Sequence, residues 1–132
     1  MAMSNSKRLI AVGAICNTSI YRVDRVPPLP AKLLASAMTQ AVDGMALSAA
    51  YALVKLGGSA KIWARVGDEE LAVSMRHSLS AEGLDTHGLH TVPGTLTSQA
   101  TVIVDQHGDR LVVPFHDPRV DKSPSWLPLD EL

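Results

Sequence analysis

The chain is 132 residues long, enough for one domain or a piece of a larger one, and 46% of it is apolar, which supplies a core and excludes a disordered polymer. Its formal net charge is -1 with no basic run, which excludes the clustered Lys/Arg footprint of a nucleic-acid binder. No apolar window reaches the roughly eighteen residues of a membrane-crossing helix, the polar opening through Arg8 carries no signal-peptide pattern, and Cys16 is the only cysteine. The expectation is a soluble cytoplasmic protein without membrane partners, whose one buried thiol has no internal disulfide to form.

Leu9 to Cys16 is short, uncharged and apolar on both faces, the pattern of a strand buried between helices. Ser19 to Val23 then alternates, as in a half-exposed strand, until Pro27, Pro28 and Pro30 force an extended connection. Residues 32–42 read as one or two exposed strands. Helix formers dominate Met45 to Leu56, with Asp43 as the expected N-cap and Gly57-Gly58 as the stop. Lys61 to Val66 is a second strand, Gly67-Asp68 a turn, and Glu69 to Ala81 a second helix with an acidic start that suits its dipole. A short strand is expected near His90 to Val92. Ser98 to Val104 and Arg110 to Phe115 flank the turn residues Asp105-Gln106-His107-Gly108, which makes a hairpin. Prolines 118, 124 and 128 around Trp126 break the tail, which ends as a sequence interrupted rather than finished.

The strand–helix–strand–helix order implies an α/β fold with a parallel sheet. The exposed strands of 19–42 and the hairpin do not fit inside such a core, so they form a second, small sheet beside it. Ligands commonly bind in the crevice at strand ends of an open sheet.

Six segments in order then resemble the opening half of the ribokinase-like (PfkB-type) carbohydrate kinases. They are Gly13 to Thr18; Arg22-Val23-Asp24-Arg25-Val26-Pro27; Asp43-Gly44 leading a helix that ends Leu56-Gly57; Val66-Gly67-Asp68-Glu69; Glu82-Gly83-Leu84-Asp85-Thr86; and Val104-Asp105-Gln106-His107-Gly108-Asp109-Arg110. Each is weak alone, but their order across residues 9–115 is specific. The resemblance implies a partial ribokinase-like parallel sheet flanked by helices (about 9–18 and 43–92) and a β-sheet lid (about 19–42 and 97–116). Residues 1–132 would then be the N-terminal part of one kinase domain. It also implies a sugar or sugar phosphate as ligand, with Thr18, Asp43, Gly44, Ser48 and Gln99 at the sugar-facing positions.

Three positions depart from the family pattern. Most members carry Asp where this chain has Thr18, a glycine pair where it has Asp43-Gly44, and Asn where it has Ser48. A small hydroxyl at that helix position, Thr97-Ser98-Gln99 and the proline-rich exit to Trp126 are similar to the sulfofructose kinase branch. The family's base lies in a downstream Gly-Ala-Gly-Asp, where the Asp takes the acceptor's proton and backbone N–H groups hold the developing charge. No Gly-x-Gly-Asp occurs here, so no catalytic residue is assigned. ATP and Mg²⁺ belong to the full-length family context, and neither is expected to bind this segment alone. The lid sheets of two protomers can clasp each other in this family, which implies a homodimer.

Blander readings stand beside these. Gly44 and Ser48 also suit a helix start and a small packed residue, Thr18 suits a strand end, and Asp43 suits an N-cap. His87 and His90 share a metal-like spacing with no third ligand near them, and His107 reads as a solvated turn residue. The function therefore reads as the sugar-binding and lid portion of an ATP-dependent carbohydrate kinase. The alternatives are an inactive sugar-binding or dimerisation module and a kinase acting on a nucleoside.

Overall fold

A computed structural model describes residues 8–132; the reading of the polar opening falls largely outside the described residues. The chain runs β1 (Arg8–Val12), β2 (Cys16–Arg22), β3 (Ala37–Asp43), α1 (Met45–Lys55), β4 (Ser59–Val66), α2 (Glu70–Ala81), β5 (Leu89–Thr91), β6 (Gln99–Val104) and β7 (Arg110–Phe115). Two 3-10 turns follow, at Pro118–Asp121 and Leu129–Glu131.

Two sheets form, as the pattern of segments implies. The first is parallel with order β1-β4-β5, Arg8 lying opposite Ser59 and Ala64 opposite Leu89. The second has order β3-β2-β6-β7; β2 runs antiparallel to β3 and parallel to β6, and β6–β7 is the expected hairpin. The fold is α/β: a parallel sheet with two helices and a small second, mixed sheet.

Alternation along β4 builds the core. Ala60, Ile62, Ala64 and Val66 turn to one face, where they meet Leu47 and Ala50 of α1 and Ala72, Met75 and Leu79 of α2. Leu47, Ile62 and Leu79 have no exposed surface, so truncating one to Ala costs about 2–5 kcal/mol. The opposite face carries Lys61, Trp63 and Arg65 and receives the C-terminal segment: Glu131 pairs with Lys61, Asp121 with Arg65, and Trp126 lies 5.2 Å from the Arg65 guanidinium. Arg76 of α2 donates to the Thr86 and Leu89 carbonyls and ties that helix to β5.

Several local expectations are corrected. Leu9 to Cys16 is not one strand between helices: β1 stops at Val12, which is 53% exposed, and both helices sit on one face. The break falls at Gly13, where a Cβ would lie 2.9 Å from the Ala46 Cβ, so the chain passes tightly against α1 and leaves for the second sheet. Cys16 is accordingly half-buried at the start of β2, and burial pushes its thiol pKa up. Of residues 32–42 only Ala37 onward forms a strand. Asp43 does not cap α1. It ends β3, Gly44 takes the cap position without a side-chain hydrogen bond, and the Asp43 carboxylate is engaged by Thr18 instead.

Candidate functional site

The site is built where β2 and β3 meet the start of α1. Cys16 lies opposite Asp43 in the ladder and Thr18 opposite Ala41, so Thr18 and Asp43 share one face of the sheet as diagonal neighbours. The Thr18 hydroxyl donates to Asp43 Oδ2 at 2.9 Å. Thr18 is 3% exposed while Asp43 is exposed, so a buried hydroxyl fixes one oxygen of a carboxylate that reaches solvent.

Gly44 follows with φ +141° and ψ 148°, a region only glycine adopts without strain. A Cβ there would stand 2.5 Å from the Ala14 carbonyl oxygen, so the turn into α1 closes directly onto the β1–β2 connection. Gly44, Cys16, Ala46, Ser98 and residues 13–15 line a cavity of about 500 Å³. No Lys, Arg, Asp or Glu lines it. Neither Thr18 nor Asp43 lines it; Asp43 is next in chain to Gly44 and in register with Cys16, and the Thr18 hydroxyl lies 3.8 Å from the Cys16 sulfur.

The structure thus brings together Thr18, Asp43 and Gly44. Ser48 lies one turn into α1, where its N–H donates to the Gly44 carbonyl at 2.8 Å; the residue is exposed and does not line the cavity. Gln99 is not brought to the pair. It is in register with Asn17 and Phe115, which puts it on the opposite face of the lid sheet from Thr18. A wider cleft of about 610 Å³ lies by Asn17 and Gln40, between the lid sheet and both helices, but it lacks a close-approach glycine and every expected site residue.

Sequence reasoning missed the residues beyond Ser98. The Ser98 hydroxyl meets His116 Nδ1 at 2.8 Å, His116 Nε2 meets Asp121, and the other Asp121 oxygen pairs with Arg65. One signal was available. Gln99 faces Phe115 in the hairpin, so Ser98 and His116, one step beyond, must flank its open end.

Other motif residues prove to be clamps. Thr97 joins the hairpin base to the Gly67 turn: its hydroxyl accepts the Gly67 N–H at 2.9 Å, and its own N–H donates to Glu69 Oε1 at 2.7 Å. Asp68 accepts the Gly94 N–H at 2.8 Å. Asp105 accepts N–H groups from Val26, His107 and Asp109, and that donation, the Val26 N–H above all, holds its carboxyl below the usual carboxylate range. His87 bonds Asp85, and His90 lies against Trp126 with ring centroids 6.0 Å apart.

The site does not fit a nucleotide. A triphosphate needs positive charge or a metal; the cavity is lined by no basic side chain, and among the described residues no three His, Cys, Asp or Glu come together as a metal site.

Comparison with known proteins agrees with the fold. The family model "pfkB family carbohydrate kinase" matches residues 6–132. A fructokinase of Klebsiella pneumoniae is 30% identical over 75% of this chain and 31% of its own length. An ATP-dependent ribose-1-phosphate kinase of Halopiger xanaduensis is 28% identical over 80% of this chain and 36% of its own. A crystal structure from Agrobacterium tumefaciens, provisionally named a ribokinase, superposes with a TM-score of 0.85 at 38% identity, covering 90% of this chain and 39% of that one. The chain spans about a third of the length of the curated relatives it matches.

Proposed function

The chain belongs to the pfkB family of carbohydrate kinases, and from that premise we propose that it supplies the sugar-binding and lid portion of an ATP-dependent kinase acting on a hydroxyl of a sugar or sugar phosphate. The observation that carries this reading is the Thr18–Asp43 hydrogen bond beside Cys16 and Gly44, which line a cavity without basic side chains. Such a cavity suits a neutral polyhydroxyl ligand better than a polyphosphate. The carboxylate accepts ligand hydroxyls through Oδ1, since Thr18 holds Oδ2 in place. Gly44 lets backbone approach the ligand where a side chain would collide with Ala14.

In this reading Asp43 supplies the negative charge that most family members place at the position of Thr18. The acidic group has moved to the neighbouring strand, and Thr18 has become its positioning partner. The described residues bind and orient the acceptor. No nucleotide step is assigned to this cavity, whose lining carries no basic side chain.

One observation favours a second reading, a sugar-binding or dimerisation module: the lid's edge strand β7 leaves Leu111, Val113 and Phe115 about half exposed, a surface suited to the lid of a second copy. Intact mass combined with ATP consumption across neutral sugars and sugar phosphates separates the two. Sugar-dependent turnover supports the kinase; binding without turnover supports the module. In either case Asp43→Asn should weaken sugar binding about tenfold or more, the scale of a lost hydrogen bond to a charged group. Unchanged affinity in that variant, measured by calorimetry, overturns the assignment of Asp43.

A further inference from the structure

We propose that His116 is a positioning residue that sets the polarity of the Ser98 hydroxyl, and that Ser98 thereby discriminates between neutral and anionic ligands at the mouth of the cavity. The inference rests on reading that cavity as the sugar site.

Four side chains are joined in line. Arg65 of β4, 19% exposed, engages Asp121, donates to the Ser123 carbonyl at 3.2 Å and lies 5.2 Å from the Trp126 ring centroid. Asp121 meets His116 Nε2, and His116 Nδ1 meets the Ser98 hydroxyl at 2.8 Å. Ser98 lines the cavity beside Gly44 and also a smaller recess of about 160 Å³ that holds Arg65, His116 and Asp121. The line of contacts therefore runs from the core sheet to the cavity wall.

The donor inventory dictates what this arrangement does. A carboxylate paired with a permanent guanidinium cation only accepts, so the His116 Nε2 that faces it carries the proton. In the neutral ring Nδ1 is then bare, and Ser98 must donate to it. The free lone pairs of Ser98 make it an acceptor toward the cavity, suited to a sugar hydroxyl. When His116 gains a proton, Nδ1–H donates to Ser98 and the serine O–H is released. Ser98 then offers a donor, beside a new positive charge, suited to a phosphate or carboxylate oxygen.

The charged groups around the ring come from each element packed there. Arg65 and Asp121 act as described, while Asp117, one residue on, is committed to Arg119 and to the Leu96 N–H. His90 lies beyond Trp126. Thus protonation of His116 is the one change that reverses the serine.

Two measurements on the purified protein test this. Nitrogen-15 NMR of the labelled histidines, with His116→Gln to identify its signals, should show His116 protonated on Nε2 and bare on Nδ1 wherever the ring is neutral. Calorimetry with fructose and fructose 6-phosphate should show the ratio of their affinities shifting about tenfold toward the phosphate as His116 takes up its proton. Ser98→Ala and His116→Gln should each remove that shift while keeping a cooperative thermal transition. The opposite tautomer, or a shift that survives in both variants, overturns the proposal. If the tautomer is as expected but neither ligand binds at any pH, the sugar-site reading itself has failed, and the role of Ser98 falls with it. The NMR result distinguishes these failures because it needs no ligand.

Discussion

At Gly44 the backbone adopts φ +141° within 2.5 Å of contact between an added Cβ and the Ala14 carbonyl oxygen. An oxygen of the main chain cannot swing aside as a side-chain tip can, so the cost of Gly44→Ala falls on the β1–β2 connection and on the start of α1 together. Backbone strain alone contributes about 1–3 kcal/mol, and the cavity wall must move as well. Chemical denaturation should register at least that loss, and sugar affinity should fall in the fraction that remains folded. A variant as stable as the parent would mean that the turn relaxes elsewhere and that the close approach is not needed. Thr18 illustrates a different dependence. With its hydroxyl buried against Asp43, its contribution is to orient that carboxylate.

At the scale of elements, two buried carboxylates hold the lid to its surroundings. Asp105 ties the β6–β7 turn to Val26 in the proline-rich connection, and Asp117 ties the tail to the Leu96 N–H. The Arg119 guanidinium holds the Asp117 carboxyl far below the usual carboxylate range, and backbone N–H groups lower Asp105. Because both folded values are depressed, the stabilisation is fully present above the ordinary carboxylate value of about 4 and is lost as pH falls below it toward the folded values. Melting temperature measured between pH 6 and 3 should therefore drop, and the slope should flatten in Asp105→Asn and Asp117→Asn; an unchanged slope in both would remove these carboxylates from the account. The hairpin they hold was legible in advance, because β-rich runs around Asp105-Gln106-His107-Gly108 have one sensible pairing. The alternation of β4 and the glycine stop of α1 were legible for the same local reason. What failed was any inference that needed the third dimension. Gly13 gives no sequence sign that it lies against Ala46, so one strand was read where two exist. Asp43 looks like an N-cap until strand pairing gives it Thr18. That Gln99 lies on the other face of the lid sheet from Thr18 was not legible, because register, which decides the face, is invisible without the partner strand β2. The line from Ser98 to Arg65 joins four residues spread over 57 positions, with only the hairpin to bring two of them together.

For the whole molecule, the distribution of apolar surface decides how the chain behaves in solution. Both helices cover the same face of the core sheet, β1 leaves Val12 half exposed, and β7 presents Leu111, Val112, Val113 and Phe115 on the two faces of an edge strand. An apolar edge strand with unpaired N–H and C=O groups is a template for pairing with another chain. Arg110 is the one charged residue in β7, and it stands at the strand's end rather than in its centre. The protein should therefore sediment as a dimer or larger assembly, or aggregate as concentration rises. Replacing Leu111 and Val113 with lysine places charge on the exposed edge and should shift the population toward monomer. The Thr18–Asp43 pair lies on β2 and β3, with β6 between it and that edge, so sugar affinity should survive the change if the lid closes within one protomer. Loss of affinity together with the dimer would instead mean that the second copy completes the site. A parent chain that is monodisperse, monomeric and cooperatively unfolding would overturn the prediction, and would show that the exposed strand is tolerated as it stands.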